Sequence, residues 1–378
     1  MMKEIKIGVL LPQSIQYNTL DRDFIRGIRL NNLDAKLHIE NIGIGANEQN
    51  IIEKIQKLSL QEEINLFIGF FGHHNIQQVY EYASDNGIIL IASEMGAKIP
   101  VGNPKYDGVF INSFSMIESV HFLGKYFSDN NYTKICSATS FYDAGYSLLE
   151  AIGSAFVNNT DFTGHYITPL HPRENEAEIM EDTINTCKPE AVFAFFSGLY
   201  AKENDALLSK NKITTKYPFF MTPFSTDHRF IEDFKNNPHE INIISSWVQN
   251  KTKECKDFTM KYQVTYIDTP TIFSLLGYET GLIFNTLFKK VKNNTILSYK
   301  SELKNLSVNG PRGIIQFDEG TNRSFFDHYI YKMNLTADGA IVPQIIKTFN
   351  NNGNFIKSVI EKQKTANLNG WHNAYLCH

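Results

Sequence analysis

The chain has 378 residues, 42% apolar and 20% charged, the make-up of a folded globular protein and too much chain for one ordinary core. At about 150 residues per domain, two domains are expected. Thirty-six basic side chains against 40 acidic ones leave a net charge of −4, so no basic surplus exists to neutralise phosphates and no nucleic-acid partner is expected.

A strand over 5–11 leads the chain, followed by a polar loop with Tyr17 and an amphipathic helix over 21–32. Strands over 37–42, 65–70, 88–92 and 108–111 come next, with helices over 51–60 and 76–86 between them. A helix over 118–128 then leads to strands over 133–138, 191–196, 218–222 and 241–247. Helical patterns over 144–157, 176–186 and 201–209 separate these. The strands are continuously apolar rather than alternating, the mark of a parallel sheet covered by helices on both faces. Strand–helix repetition of this kind predicts an α/β fold, doubly wound. The longest apolar runs, 66–71, 87–92 and 191–196, fall far short of the ~20 residues of a membrane span.

The plan is repeated once. Tyr17 and Tyr142 each sit in a loop between a strand and a helix, and Gly72 and Gly198 each end a strand just before a helix. The two pairs have almost the same separation, which predicts two similarly built lobes. Beyond them, helices over 252–266 and 271–292 precede strand-like runs over 310–317 and 326–333. A run over 340–348 is placed as a hairpin partner, and 350–378 reads as a polar tail. This last third is expected to complete the two lobes rather than form a third.

Cys136, Cys187, Cys255 and Cys377 lie far apart, with neither C-x-x-C nor zinc spacing, so neither a disulfide framework nor a metal site is expected. The chain has no G-x-S-x-G, H-E-x-x-H, P-loop or G-x-G-x-x-G motif; catalytic residues and a cofactor are not expected, and a binding protein is. The strand at 5–11 starts too early to follow a secretory leader. The expected location is therefore the periplasm if a leader has been removed, and the cytoplasm if the chain is as encoded.

Taken in order, "IKIGVLLPQS", "INLFIGFFGHHNIQQVYEYASDNGIILIASEMGA", "FYDAGY", "AVFAFFSG", "FFMTPFS", "FSLLGYETG" and "NGPRGIIQFDEGTNR" resemble one family. It is the type I periplasmic-binding-protein fold, in the branched-chain amino-acid and amide-binding group of ABC-transporter receptors. The resemblance runs from residue 5 to about 333. It implies two similar doubly wound parallel-sheet lobes joined by a three-crossing hinge, near 115–118, 247–250 and 323–326. Lobe one is then 1–117 plus 248–325 and lobe two 118–247 plus 326–349, with 350–378 a C-terminal tail carrying Trp371, Cys377 and His378. The implied function is capture of a small polar solute, amino-acid-like, amide or small carboxylate, in the inter-lobe cleft for an ABC importer, with the permease as partner. The alternative is a cytoplasmic or signalling sensor of the same fold, its closure transmitted to a partner protein.

Open α/β sheets bind ligands beyond the carboxyl ends of their strands, where loops and helix N-termini converge. That places Tyr17, Gly72, His73, His74, Asn75, Met95, Gly96 and Ala97 on one side of the cleft. Tyr142, Asp143, Ser197, Tyr200, Phe224 and Trp247 face them. A helix beginning near Asn75 offers an anion or carbonyl roughly 0.3–1 kcal/mol from its dipole. The resemblance implies that the turns at Gly72–Asn75 and Gly96–Ala97 hold a ligand carboxylate, though histidines replace the usual small hydroxyl residues in the first. It also implies that Tyr142 covers the ligand. Asp143 is placed either to balance a ligand ammonium or to cap a helix. In amino-acid binders an acidic residue follows the strand matching 219–221; here Phe224 stands there. An unpaired buried ammonium is costly, so unless Asp143 or Asp227 substitutes, an aromatic or aliphatic acid, or a small amide, is expected in place of a standard α-amino acid.

Overall fold

In the computed structural model, residues 4–72, 76–100, 103, 105–211, 213–227, 241–291, 295–335 and 341–363 are described. Two separate sheets carry the two lobes. The first is wholly parallel, in the order β2-β1-β3-β4-β5, from β1 (Lys6–Leu11), β2 (Lys36–Asn41), β3 (Leu66–Phe70), β4 (Ile89–Glu94) and β5 (Val109–Ser113). The second has the order β14-β13-β10-β9-β8-β6-β7. Its strands β6 (Lys134–Ser140), β7 (Asp161–Thr168), β8 (Ala191–Phe195), β9 (Phe219–Met221) and β10 (Ile241–Ser245) are parallel. A small hairpin, β11 (Val308–Gly310) and β12 (Gly313–Ile315), lies apart, and β13 (His328–Leu335) and β14 (Ile341–Phe349) close the second sheet antiparallel.

Every residue of β3, β4, β5, β8 and β10 is buried, because helices cover both faces. One face of the first sheet (Ile7, Val9, Ile68, Phe70) packs under α1 (Leu20–Arg29) and a long helix, α9 (Ile272–Lys290). The other (Leu10, Phe67, Leu90, Ala92) packs under α2 (Glu48–Glu62) and α3 (Gln77–Asp85). In the second lobe α4 (Met116–Asp129) and α5 (Leu148–Gly153) cover one face, and α6 (Glu176–Cys187) and α7 (Gly198–Asn211) the other. The last third supplies α8 (Lys253–Tyr266), α9, α10 (Ile296–Lys304) and, after β14, α11 (Asn354–Gln363). Helices α1 and α9 meet backbone to backbone. A Cβ on Gly277 would lie 2.0 Å from the Phe24 carbonyl oxygen, and one on Gly27 2.1 Å from that of Ser274. The long helix is thereby fixed to the first lobe, its start set by the Thr271–Ser274 capping box.

The chain passes between the lobes three times: after β5, after β10 and before β13. One side chain ties these passages together. Arg312, in the turn of the β11–β12 hairpin, is 4% exposed and donates to Glu279 of α9 at 2.6 and 2.9 Å. It also donates to the Ser113 carbonyl oxygen at 2.9 Å, to Ser246 Oγ at 3.2 Å and to Asn112 Oδ1 at 3.1 Å. Its guanidinium lies 3.8 Å from the centroid of Phe326. Carboxylate, carbonyl, amide and ring together satisfy a charge that would be expensive to bury alone.

The fold is the expected one, with local differences. The helix predicted over 144–157 is only α5, preceded by one short turn at Asp143–Gly145. Tyr146 between them is extended because Ser147 N–H bonds the Ala97 carbonyl oxygen of the other lobe, which pulls the segment out of helix. The strand predicted over 310–317 is broken by the Pro311–Arg312 turn into a hairpin of three-residue strands. Strand β7 was not expected: it is an edge strand with exposed alternate residues. The expected tail begins with α11, which buries Ile356 and Ile360; residues 364–378, with Trp371, Cys377 and His378, lie outside the described residues.

Candidate functional site

The carboxyl ends of the parallel strands of both sheets converge on one cavity between the lobes, with about 400 Å³ of empty space counted out to its mouth. Gly72, after β3, and Met95, Gly96 and Ala97, after β4, line it from the first lobe. Asp143, after β6, Ser197, after β8, and Phe224, after β9, line it from the second. These seven were expected from the sequence.

Two clasps close the lobes over this cavity. In the first, Tyr17 Oη accepts from Gly198 N–H at 2.8 Å and Gln16 Oε1 from Leu199 N–H at 2.9 Å, so the loop after β1 caps the first turn of α7. Gly198 has φ +51°, and a Cβ there would meet Gln16 atoms at 2.6–3.0 Å; both the conformation and the approach need glycine. In the second clasp, Ser147 N–H bonds the Ala97 carbonyl oxygen at 3.0 Å and Ile99 N–H bonds Ser147 Oγ at 3.2 Å. The Lys98 ammonium donates to the Gly145 carbonyl oxygen in the same place.

The walls are apolar apart from a few groups. Phe195, Phe196, Leu148, Met95, Met116 and Phe224 supply most of the surface. Phe224 is held edge-on by Tyr17 at 5.5 Å, which in turn meets Phe273 of α9 at 5.1 Å. Among the polar groups, Lys98 brings a cation, and burial lowers its pKa to about 8. The Tyr146 hydroxyl, beside Ser197, is buried and makes no hydrogen bond of good geometry among the described residues. Asp143 is 1% exposed and takes its hydrogen bonds from its own lobe. Oδ2 accepts from Ser140 Oγ at 2.7 Å and from Ser197 N–H at 3.0 Å, and Oδ1 accepts from Ser197 Oγ at 2.5 Å. Burial raises its pKa to about 7 against the pull of those donors. It ties the loops after β6 and β8 to each other.

Other expected residues lie elsewhere. Tyr142 does not line the cavity; it is stacked on Tyr200 at 5.5 Å, because the short turn at Asp143–Gly145 brings round Tyr146 instead. Trp247 is buried with its indole N–H on Cys255 Sγ at 3.3 Å, a core role next to the second chain passage. Tyr17 is 1% exposed and acts as clasp and backing to Phe224 rather than as lining. His73, His74 and Asn75 lie outside the described residues. The sequence reading missed Lys98 and Tyr146. Both stood next to singled-out residues, Lys98 directly after Gly96–Ala97 and Tyr146 as the last letter of "FYDAGY".

A two-lobed fold with a cavity between paired carboxyl edges also has relatives of known structure. Residues 4–340 match the model of the periplasmic binding protein family. The chain belongs to this family. No curated protein matches the sequence. Among solved structures, a solute-binding protein of an ABC transporter from R. palustris, in complex with benzoate, is 19% identical with a TM-score of 0.73, covering 93% of this chain and 98% of that one. An ABC transporter substrate-binding protein from Sphaerobacter thermophilus is 16% identical with a TM-score of 0.75, over 92% and 98% of the two chains. A branched-chain amino acid transporter substrate-binding protein from Streptococcus pneumoniae, in complex with isoleucine, is 15% identical with a TM-score of 0.65, over 91% and 100%. This periplasmic binding protein shares its architecture with aromatic-acid and amino-acid binders alike. Among the described residues, no helix is long and apolar enough to cross a membrane.

Proposed function

We propose that this periplasmic binding protein captures a small carboxylate with an apolar, preferably aromatic, body and delivers it to an ABC importer from the periplasmic side. The lobes move about the three passages, with boundaries at 1–117 plus 248–325 and 118–247 plus 326–349, and the ligand favours the closed state by contacting both. Binding is the whole activity: no bond of the ligand is made or broken.

The observation that carries this reading is the cavity's polar complement. Lys98 supplies one cation and Tyr146 a hydroxyl without a well-formed hydrogen bond in a wall built mostly of Phe, Met and Leu side chains. A carboxylate suits the first and an aromatic body suits the wall. Among the described residues that line the cavity, an α-ammonium finds no free acid: Phe224 fills the place after β9, and Asp143 is engaged by Ser140 and Ser197. The benzoate complex of the relative supports the same ligand class. Isothermal titration with benzoate, 4-hydroxybenzoate, leucine and isoleucine tests it. Micromolar or tighter binding of an aromatic acid is expected, with at least tenfold weaker binding of the amino acids; the reverse order overturns the reading.

A further inference from the structure

A second cavity lies inside the first lobe, beyond the wall formed by Gly72 and Lys98. It has about 630 Å³ of empty space counted out into the solvent at its mouth. It opens between α3, the carboxyl end of β4, the first half of β5, and α11, which contributes Ile360. Much of the lining is apolar, from Ile76, Ile99, Val109, Ile111 and Ile360.

Three polar side chains on this lining have unused hydrogen-bonding capacity. Tyr80 of α3 is 5% exposed, and its hydroxyl has no partner among the described residues. Arg323, 6% exposed, gives one guanidinium nitrogen to Glu94; its Nε and other Nη have no hydrogen bond among the described residues. The second carboxylate oxygen of Glu94 is likewise without one. Of these only the Tyr80 hydroxyl is itself shut off from solvent, and a buried polar group is rarely left so, because it forfeits its hydration without return. Two kinds of donor, hydroxyl and guanidinium, and one acceptor are thus left side by side.

This set selects a charge and a head group. Glu94 and Arg323 neutralise each other, so an added carboxylate would face Glu94 and an added ammonium would face Arg323. Lys98 stands on the wall shared by both cavities, with its ammonium donating to the Gly145 carbonyl oxygen and lying over the Tyr146 ring on the inter-lobe side. A neutral head that both accepts and donates fits. A primary carboxamide takes Tyr80 O–H and an Arg323 N–H on its oxygen and gives its own N–H to Glu94. We propose that this cavity is a second small-molecule site, for a neutral compound carrying a primary carboxamide on an apolar body, distinct from the inter-lobe ligand site. The site adjoins the third passage, where Arg323 pairs with Ile111 of β5 just before the chain leaves for β13.

The test uses benzamide as probe and benzoate as the inter-lobe ligand, with the full chain. Native mass spectrometry and saturation-transfer NMR should show benzamide bound to protein already saturated with benzoate. Tyr80→Phe, which keeps the ring and removes the hydroxyl, should weaken benzamide at least tenfold and leave benzoate within twofold. Ile360→Trp, filling the cavity from α11, should abolish benzamide binding, with the apo melting curve confirming that the variant folds. Displacement of benzamide by benzoate, or benzamide binding unchanged in both variants, overturns the proposal. Because benzamide binding and the Tyr80→Phe effect are read without benzoate as well, failure of the carboxylate reading at the inter-lobe site leaves this test intact.

Discussion

Tyr17→Phe isolates the first clasp. The phenylalanine ring keeps the edge-on contacts with Phe224 and Phe273, so packing around the inter-lobe wall is preserved. What is lost is the acceptor for Gly198 N–H, at 2.8 Å, at the first turn of α7. A buried donor left unpaired costs about 1–3 kcal/mol. If the contact is made only with the lobes together, the whole cost falls on the closed state. Ligand affinity then drops by about 5–150-fold, with the apo melting temperature little changed. Titration calorimetry with benzoate measures the first quantity and small-angle scattering reads lobe separation with and without ligand. Unchanged affinity together with a markedly lower apo melting temperature would show that Tyr17 is ordinary core, and the clasp argument would be wrong.

Other expectations use the same observations. Gly198→Ala strains a left-handed position and drives a methyl into Gln16; it should hold the lobes apart in scattering and weaken benzoate more than Tyr17→Phe does. Lys98→Met should lower benzoate affinity at least tenfold in calorimetry. Asp143 holds its proton up to about pH 7 when folded, against an ordinary 3.8, so the folded state binds more protons over that window. Stability should therefore fall as pH rises from about 4 to about 7, and Asp143→Asn should flatten that slope in urea titrations across the range. Arg312→Met leaves Glu279 buried without its partner and should cost about 3–5 kcal/mol; adding Glu279→Leu should recover part of it in the same denaturation assay.

Much of the architecture was legible because its cause is local. Strands such as Leu66–Phe70 and Ala191–Phe195 are apolar at every position, and only a sheet covered on both faces asks for that. The two turns at Gly72 and Gly198 marked the internal repeat because each follows a strand within three residues and takes a positive φ. The cavity was legible to the level of loops, since carboxyl edges of parallel strands converge. Which side chain in a loop turns inward was not. Tyr142 and Tyr146 are both aromatic and four residues apart, and the choice between them is made by Ser147 bonding a carbonyl oxygen of the other lobe. Lys98 was overlooked for a similar reason: a lone lysine after an apolar strand looks like a solvated end, and its burial depends on a segment nearly fifty residues away. Helix α11 had a signal, Ile356 and Ile360 one turn apart, submerged among asparagines and lysines.

The arrangement around Arg312 limits how the two lobes can travel. Its guanidinium holds a carbonyl from one passage, a hydroxyl from the next and a ring from the last. Were one passage to swing while the others stayed, the cation would lose part of its shell far from water. Half-sprung shapes are therefore penalised, and the three strands of the pivot turn in step. Tied in this way, the three passages should shift as one unit and not as a loose string between independent bodies.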